Sequence, residues 1–298
     1  MIRPAWPMVA LIASAALAQA PSAPPRPTDD IVVTGTRDTP RKIEQTAWAM
    51  TPHRDLYHEP LAQFQTPVCP GVIGMPPEYA AMMIARIRAV AQMAKVRLDR
   101  EKCKANLLVI FTPGGQAALQ DIRNKRPWPL EGIDRAELYD LATDPDLREL
   151  AAQPGPVHVW VSTETRGRLG EMLSGRGDGD EPAMLKTANA QSHIYLAARQ
   201  DIVASVILID IPALNGLHVR QVADYVAMRG LAQTRPPGQR GKVGTILSLF
   251  DKGAIPPLEM TTFDLAYLRA VYGQIPNLPG SAKITQVAYE VKKAAKGE

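Results

Sequence analysis

Five histidines, one acidic cluster, one glycine pair and two cysteines are the residues of this 298-residue chain whose types and spacing could do chemistry. His53 and His58 have a spacing that suits neither a helix face nor a strand face. His158 and His193 fall in segments of strand character and could meet across a sheet. No Cys or carboxylate is tied to them by spacing, so they read as structural histidines. A zinc site on a helix needs two ligands four residues apart and a Glu beside the first. His218 has Val219 beside it and Val222 four residues on, so it cannot open such a site. In "GRGDGDE" (175–181) Asp178 and Asp180 alternate, but the glycine and distal glutamate of a calcium loop are missing. It reads as a solvated loop, and its Arg176-Gly177-Asp178 is only a three-residue match to an adhesion tripeptide. Gly114 and Gly115 lack the spacing of either phosphate-binding glycine motif and read as a turn. No G-x-S-x-G elbow is present. No catalytic, cofactor or metal residue is assigned, and no cofactor is expected.

The cysteines point to a compartment. Residues 1–20, "MIRPAWPMVALIASAALAQA", carry Arg3, an apolar run from Met8 to Ala18, and small residues Ala18 and Ala20 before a cut at Pro21. That is the layout of a secretory signal, with a run too short to stay as a membrane anchor. The expected location is periplasmic or secreted, with no transmembrane anchor after cleavage. In an oxidising compartment Cys69 and Cys103 are expected to form a bridge. It closes about 34 residues, a constraint of ~3–4 kcal/mol in the loop-entropy account. Loss of Arg3 takes the net charge from +4 to +3. Basic residues are scattered and aromatics few, which argues against a nucleic-acid partner.

The elements that must position these groups follow from periodicity. Residues 21–66 are rich in Pro, Thr and charge and read as a flexible N-terminal arm, so that a single domain spans 67–298. Within it, 78–98 has helical spacing of Met83, Ile87, Val90 and Ala94, and 106–112 is an apolar run of strand length. Residues 134–152 look helical, and "VHVWVS" (157–162) alternates as a strand. "SHIYLAA" and "IVASVILID", parted by "RQD", read as a hairpin. Residues 215–232 read as a helix capped by Asn215. "GKVGTILSLFD", "MTTFDLAYLRAVYG" and "SAKITQVAYEVKKAAK" read as helical. The expected class is α+β, a small mixed sheet under helices with a helical C-terminal part.

The strand, strand, helix order of "SHIYLAARQDIVASVILIDIPALNGLHVRQVADYVAMRGLAQ" and the phrases "TILSLFDKG" and "EMTTFDLAYLRAVYGQIPNLPGSA" resemble exported proteobacterial zincin-like domains of unknown function. The resemblance is loose over 78–295 and best over 190–280. It implies a zincin-like fold in which the helix after the second strand carries H-E-x-x-H. Here that register gives Gln221, Val222 and Tyr225, and the metal motif is degenerate. Asp224 stands four residues after Arg220, the spacing of a helix-surface ion pair. Val219, Val222, Ala223, Val226 and Gly230 make an apolar stripe expected to pack on the sheet. Gln221 and Tyr225 are expected to face the former cleft, with no structural duty for Gln221.

"IVVTGTR" (31–37) resembles the N-terminal segment of TonB-dependent receptors of the outer membrane, which in that family lies near the contact with the energising partner. The helical periods that follow are not those of a barrel. The segment is either a borrowed docking strand or a β-prone piece of the arm. The functional expectation is an exported, soluble, non-enzymatic envelope protein, a degenerate enzyme relative that binds or scaffolds an envelope protein or peptide. The alternative is a periplasmic hydrolase or metallopeptidase-like enzyme with a site of another type.

Overall fold

A strand of thirteen residues, β5 (Ala198–Asp210), organises the sheet. The computed structural model describes residues 38–52, 55–115, 117–119, 152–172 and 194–296, all within one unit of the chain. β3 (Leu107–Thr112) runs parallel to the second half of β5, and β2 (Pro70–Ile73) runs parallel to β3. The two-residue β1 (Gln63–Phe64) lies parallel to β5 at Asp201 and Ile202. β4 (Val157–Gly167) is antiparallel to β5 along its whole length, with a bulge between Ser162 and Thr163. The sheet is therefore mixed and the architecture α+β. Every residue of β3 is buried, which explains its unbroken apolar run: both faces are covered.

Three readings of the sequence are corrected here. The arm does not extend to residue 66. Helix α1 (Pro40–Met50) starts at an N-cap, Thr39, whose hydroxyl accepts from the Lys42 N–H, with Pro40 in the first turn. Its Ile43, Ala47 and Met50 are core residues. The "RQD" segment is not a turn either. It holds no Gly, Pro or Asn, and Gln200 and Asp201 continue β5 opposite Thr165 and Glu164, so the hairpin is β4 with β5. The residues around Thr245 are not a full helix but a three-residue 3₁₀ turn, Ile246–Ser248.

The helices lie as the periodicity demands. α2 (Pro77–Met93) turns Met83, Ile87, Val90 and Ala91 inward. It ends at Lys95, which takes the left-handed backbone at φ 62°. α3 (Val219–Leu231) packs on α2 and on the sheet. Its Gly230 is a contact point: a Cβ there would come within 3.0 Å of Leu107 and 3.1 Å of Ile207. The Ser205 hydroxyl donates to the Gly230 carbonyl at 2.7 Å. α3 starts at His218 rather than Asn215, because residues 211–214 form a 3₁₀ turn. α4 (Thr262–Tyr272) and α5 (Gly280–Ala294) pack as a pair, with α1 against α5. A disulfide joins Cys69 to Cys103 and ties the start of β2 to the turn before β3. No helix among the described residues is long and apolar enough to cross a membrane.

Candidate functional site

The helix expected to carry a degenerate metal motif is buried on all sides. Gln221, Asp224 and Tyr225 are 4, 0 and 2 % exposed. Its polar groups are taken up by a covering segment, residues 245–260. The Gln221 amide donates to the Pro257 carbonyl at 2.8 Å, and its oxygen accepts from the His218 N–H at 3.2 Å, closing a capping box. Tyr225 packs edge-on against Phe250, ring centroids 4.9 Å apart. Burial pushes its hydroxyl above the usual tyrosine range, with the Asp251 charge adding to the shift and Arg229 opposing it.

Asp224 does not make the helix-surface pair that its spacing from Arg220 implies. It points inward, where Arg86 of α2 grips it through two hydrogen bonds, Nε to Oδ1 at 2.6 Å and Nη2 to Oδ2 at 3.0 Å. The Met260 N–H donates to Oδ2 at 2.7 Å. Arg220 turns instead to Glu259, 2.8 Å away. The reason is desolvation: a carboxylate with no exposure needs a bidentate partner and a backbone donor to stay charged. Asp224 thus locks α2, α3 and the covering segment together. The sequence carries no local signal for this, since Arg86 lies 138 positions away.

A second carboxylate shapes the covering segment itself. Asp264 caps α4 and accepts from Thr245 Oγ1, the Ile246 N–H and both the N–H and hydroxyl of Thr261. Burial raises its pKa against the four donors, which work to lower it.

The other candidates are dispersed. His58 is exposed and bonds Asp55 at 2.7 Å, His158 is buried on β4, and His218 caps α3. His53, His193 and the 175–181 acidic loop lie outside the described residues, as do the signal segment, Ile31–Arg37 and nearly all of 134–152. Among the described residues no three His, Cys, Asp or Glu side chains form a group that could hold a metal. Gly114 and Gly115 close the β3 turn, and the anion at the Gly115 N–H is the protein's own Asp210 carboxylate. A Cβ at Gly115 would come within 2.5 Å of the Leu208 side chain and 2.6 Å of the Asp210 carboxylate, so a larger residue there would have to displace both side-chain ends.

The feature that periodicity misses lies on β4. Gln153 places its side-chain amide against the backbone of Val159. Nε2 donates to the Val159 carbonyl and Oε1 accepts its N–H, both at 2.8 Å. An amide so placed reproduces the hydrogen bonds of a neighbouring strand. Antiparallel residues point both backbone groups to one side in alternation, so Val157, Val159 and Val161 turn theirs away from β5. Gln153 reaches this position through the turn Pro154–Gly155–Pro156, where Gly155 takes φ 91°. At the far end, the Gly167 N–H donates to the Glu171 carbonyl and Arg166 bridges Met172. Between these two covers, no strand among the described residues pairs with the outer edge of β4.

Comparison with family models, curated proteins and solved structures returns no match.

Proposed function

We propose that the chain is an exported binding protein of the bacterial envelope, not an enzyme, and that its working surface is the outer edge of β4. A partner's extended segment adds there as a further strand. The observation that carries this reading is the Gln153 amide, which holds the place of a strand at Val159. Among the described residues no side chain is set against the same backbone groups of its neighbour Val161. The bulge after Ser162 and the charges of Glu164 and Arg166 guard the edge against unselective pairing.

Three further features support the reading. The Cys69–Cys103 bridge fits an oxidising compartment. The polar groups of α3 that a metallopeptidase would direct at substrate are spent on the Pro257 carbonyl, Arg86 and the Met260 N–H. β5 followed by α3 keeps the strand-then-helix step of the layout that the zincin-like resemblance implies, with β4 rather than "SHIYLAA" as the antiparallel edge strand, and on this reading the fold is a zincin-like relative without the metal.

The test uses proline as a backbone probe. Val161→Pro removes one outward N–H and no bond to β5. Affinity purification from the envelope should retain a partner with the wild type, lose it with Val161→Pro, and retain more with Gln153→Ala. Equal retention by all three would remove β4 as the working surface. Mature protein in the periplasmic fraction should begin at Pro21; full-length cytosolic protein would remove the export reading.

A further inference from the structure

Arg229, in the last turn of α3, is a buried cation without an anion. It is 8 % exposed, yet among the described residues it takes part in no ion pair. Its Nε is buried with no acceptor. Its guanidinium stands 6.0 Å from the centre of the Tyr225 ring, one helical turn back. The Tyr225 hydroxyl has no hydrogen-bond partner among the described residues either. Two donors one helical turn apart thus have no acceptor among the described residues. The buried carboxylates nearby are met: Asp224 by Arg86, and Asp264 of α4 by four donors. The Arg229 Nε–H beside these is desolvated without an acceptor, a cost that a well-placed opposite charge offsets.

Asp251, adjacent to Phe250 in the covering segment, is the acidic group whose charge reaches Tyr225. It does not neutralise Arg229. Its own carboxyl is pushed up by burial, with no cation acting to lower it. A single guanidinium balances a single negative charge.

We propose that Arg229 and Tyr225 form a binding site for a monocarboxylate, independently of the β4 edge. The planar guanidinium takes the two carboxylate oxygens, and the Tyr225 hydroxyl donates to one of them. Phe250, half-buried over Tyr225, is the wall against which an apolar body of the ligand rests. The carboxylate is either that of a small free acid or that of a peptide C-terminus, which share this chemistry.

The test is thermal unfolding of the full mature protein in chloride buffer with propionate, phenylacetate, propionamide, inorganic phosphate, and one tetrapeptide with a free or amidated C-terminus. The carboxylates should raise Tm saturably and propionamide should not. Arg229→Met should weaken the effect at least tenfold, and Tyr225→Phe should weaken it less. A response to propionate assigns a small acid, and a response only to the free peptide assigns a C-terminus. Equal shifts with propionamide, equal shifts in wild type and Arg229→Met, or a stronger response to phosphate would each overturn the site. Should Arg229→Met fail to fold, the Arg229 Nε–H resonance of the wild type decides: it moves on carboxylate titration if the site exists and stays still if the side chain is merely hydrated.

Discussion

The side-chain amide of Gln153 pairs with both backbone groups of Val159, as a residue of an adjoining strand would. These two bonds of 2.8 Å lie on an edge that, between Val157 and Thr165, pairs with no other strand among the described residues, and they serve two ends. They satisfy groups that would be exposed for pairing with any extended chain, and they mark where a true strand would lie.

Gln153→Ala should therefore lower stability by about 1–2 kcal/mol, the net value of two neutral hydrogen bonds at a half-buried site. It should also make the protein self-associate. Sedimentation at increasing concentration should show dimers in the variant and not in the wild type. An unchanged Tm with monomers throughout would mean that the amide guards nothing.

Gln221 is the clearest case of a residue whose duty differs from its sequence reading. It serves two partners, His218 N–H and the Pro257 carbonyl, and holds the covering segment on α3. Gln221→Ala should cost about 1–2 kcal/mol, since a buried carbonyl loses its donor. Denaturant unfolding with an unchanged slope and a lower midpoint is the expected result; a silent variant would return Gln221 to a cleft-facing role.

What was legible in the sequence is what depends on period. The inward face of α2, the buried run of β3 and the stripe on α3 that meets the sheet at Gly230 all follow from spacing. Helix α1 was written as plainly: Thr39 and Pro40 at the cap, then Ile43, Ala47 and Met50 on one face. The composition of the surrounding Pro-rich residues masked it. β5 was split at "RQD" because three polar residues mimic a turn, although Arg199 and Asp201 pair with each other along the strand at 2.9 Å. The site was not legible. Asp224 and Arg86, and Lys283 and Gln63, are joined by tertiary packing across separations no spacing rule reaches, and Gln153 meets Val159 six positions on only through the geometry of the turn between them.

Asp224 and Arg86 provide a sharper energetic test. Their side chains are 0 and 9 % exposed. Arg86→Leu strands the Asp224 carboxylate in the core and should destabilise by about 3–5 kcal/mol, whereas Asp224→Leu should cost less, because Arg86 keeps Glu259 at 3.9 Å. Asp224 also holds the Met260 N–H, so its loss should in addition loosen residues 257–260 to hydrogen exchange. The double variant should cost well under the sum of the two, because it leaves no unpaired charge. Strict additivity would show that the pair carries no coupling.

Lys283 gives a prediction in pH. Its side chain is fully buried between α5, β1 and α4, and Nζ donates to Gln63 Oε1 at 2.6 Å and to the Val271 carbonyl at 3.0 Å. Two acceptors suit the two hydrogens of a neutral amine, and no carboxylate bonds it. Burial pulls its pKa down from 10.5 to about 7. Between these values the unfolded chain binds a proton that the folded chain does not, so stability rises with pH across roughly pH 7 to 10 and is flat in this respect below pH 7. Tyr267, pushed up to about 12, and Tyr272, raised further, are buried neutral and stay protonated throughout. Their unfolded forms ionise near pH 10, which sets the upper limit of a clean measurement at about pH 9.5. Over pH 7 to 9.5 the wild type should gain about 2–3 kcal/mol from this one group. Lys283→Met should be more stable than the wild type at pH 7 and should lose that slope. The gain is limited because Gln63 and the Val271 carbonyl are left without their donor. Calorimetric Tm against pH for both proteins is the measurement. Parallel curves would show that Lys283 is charged inside the fold and that its two acceptors, with the negative end of α4 at Val271, suffice to keep it so.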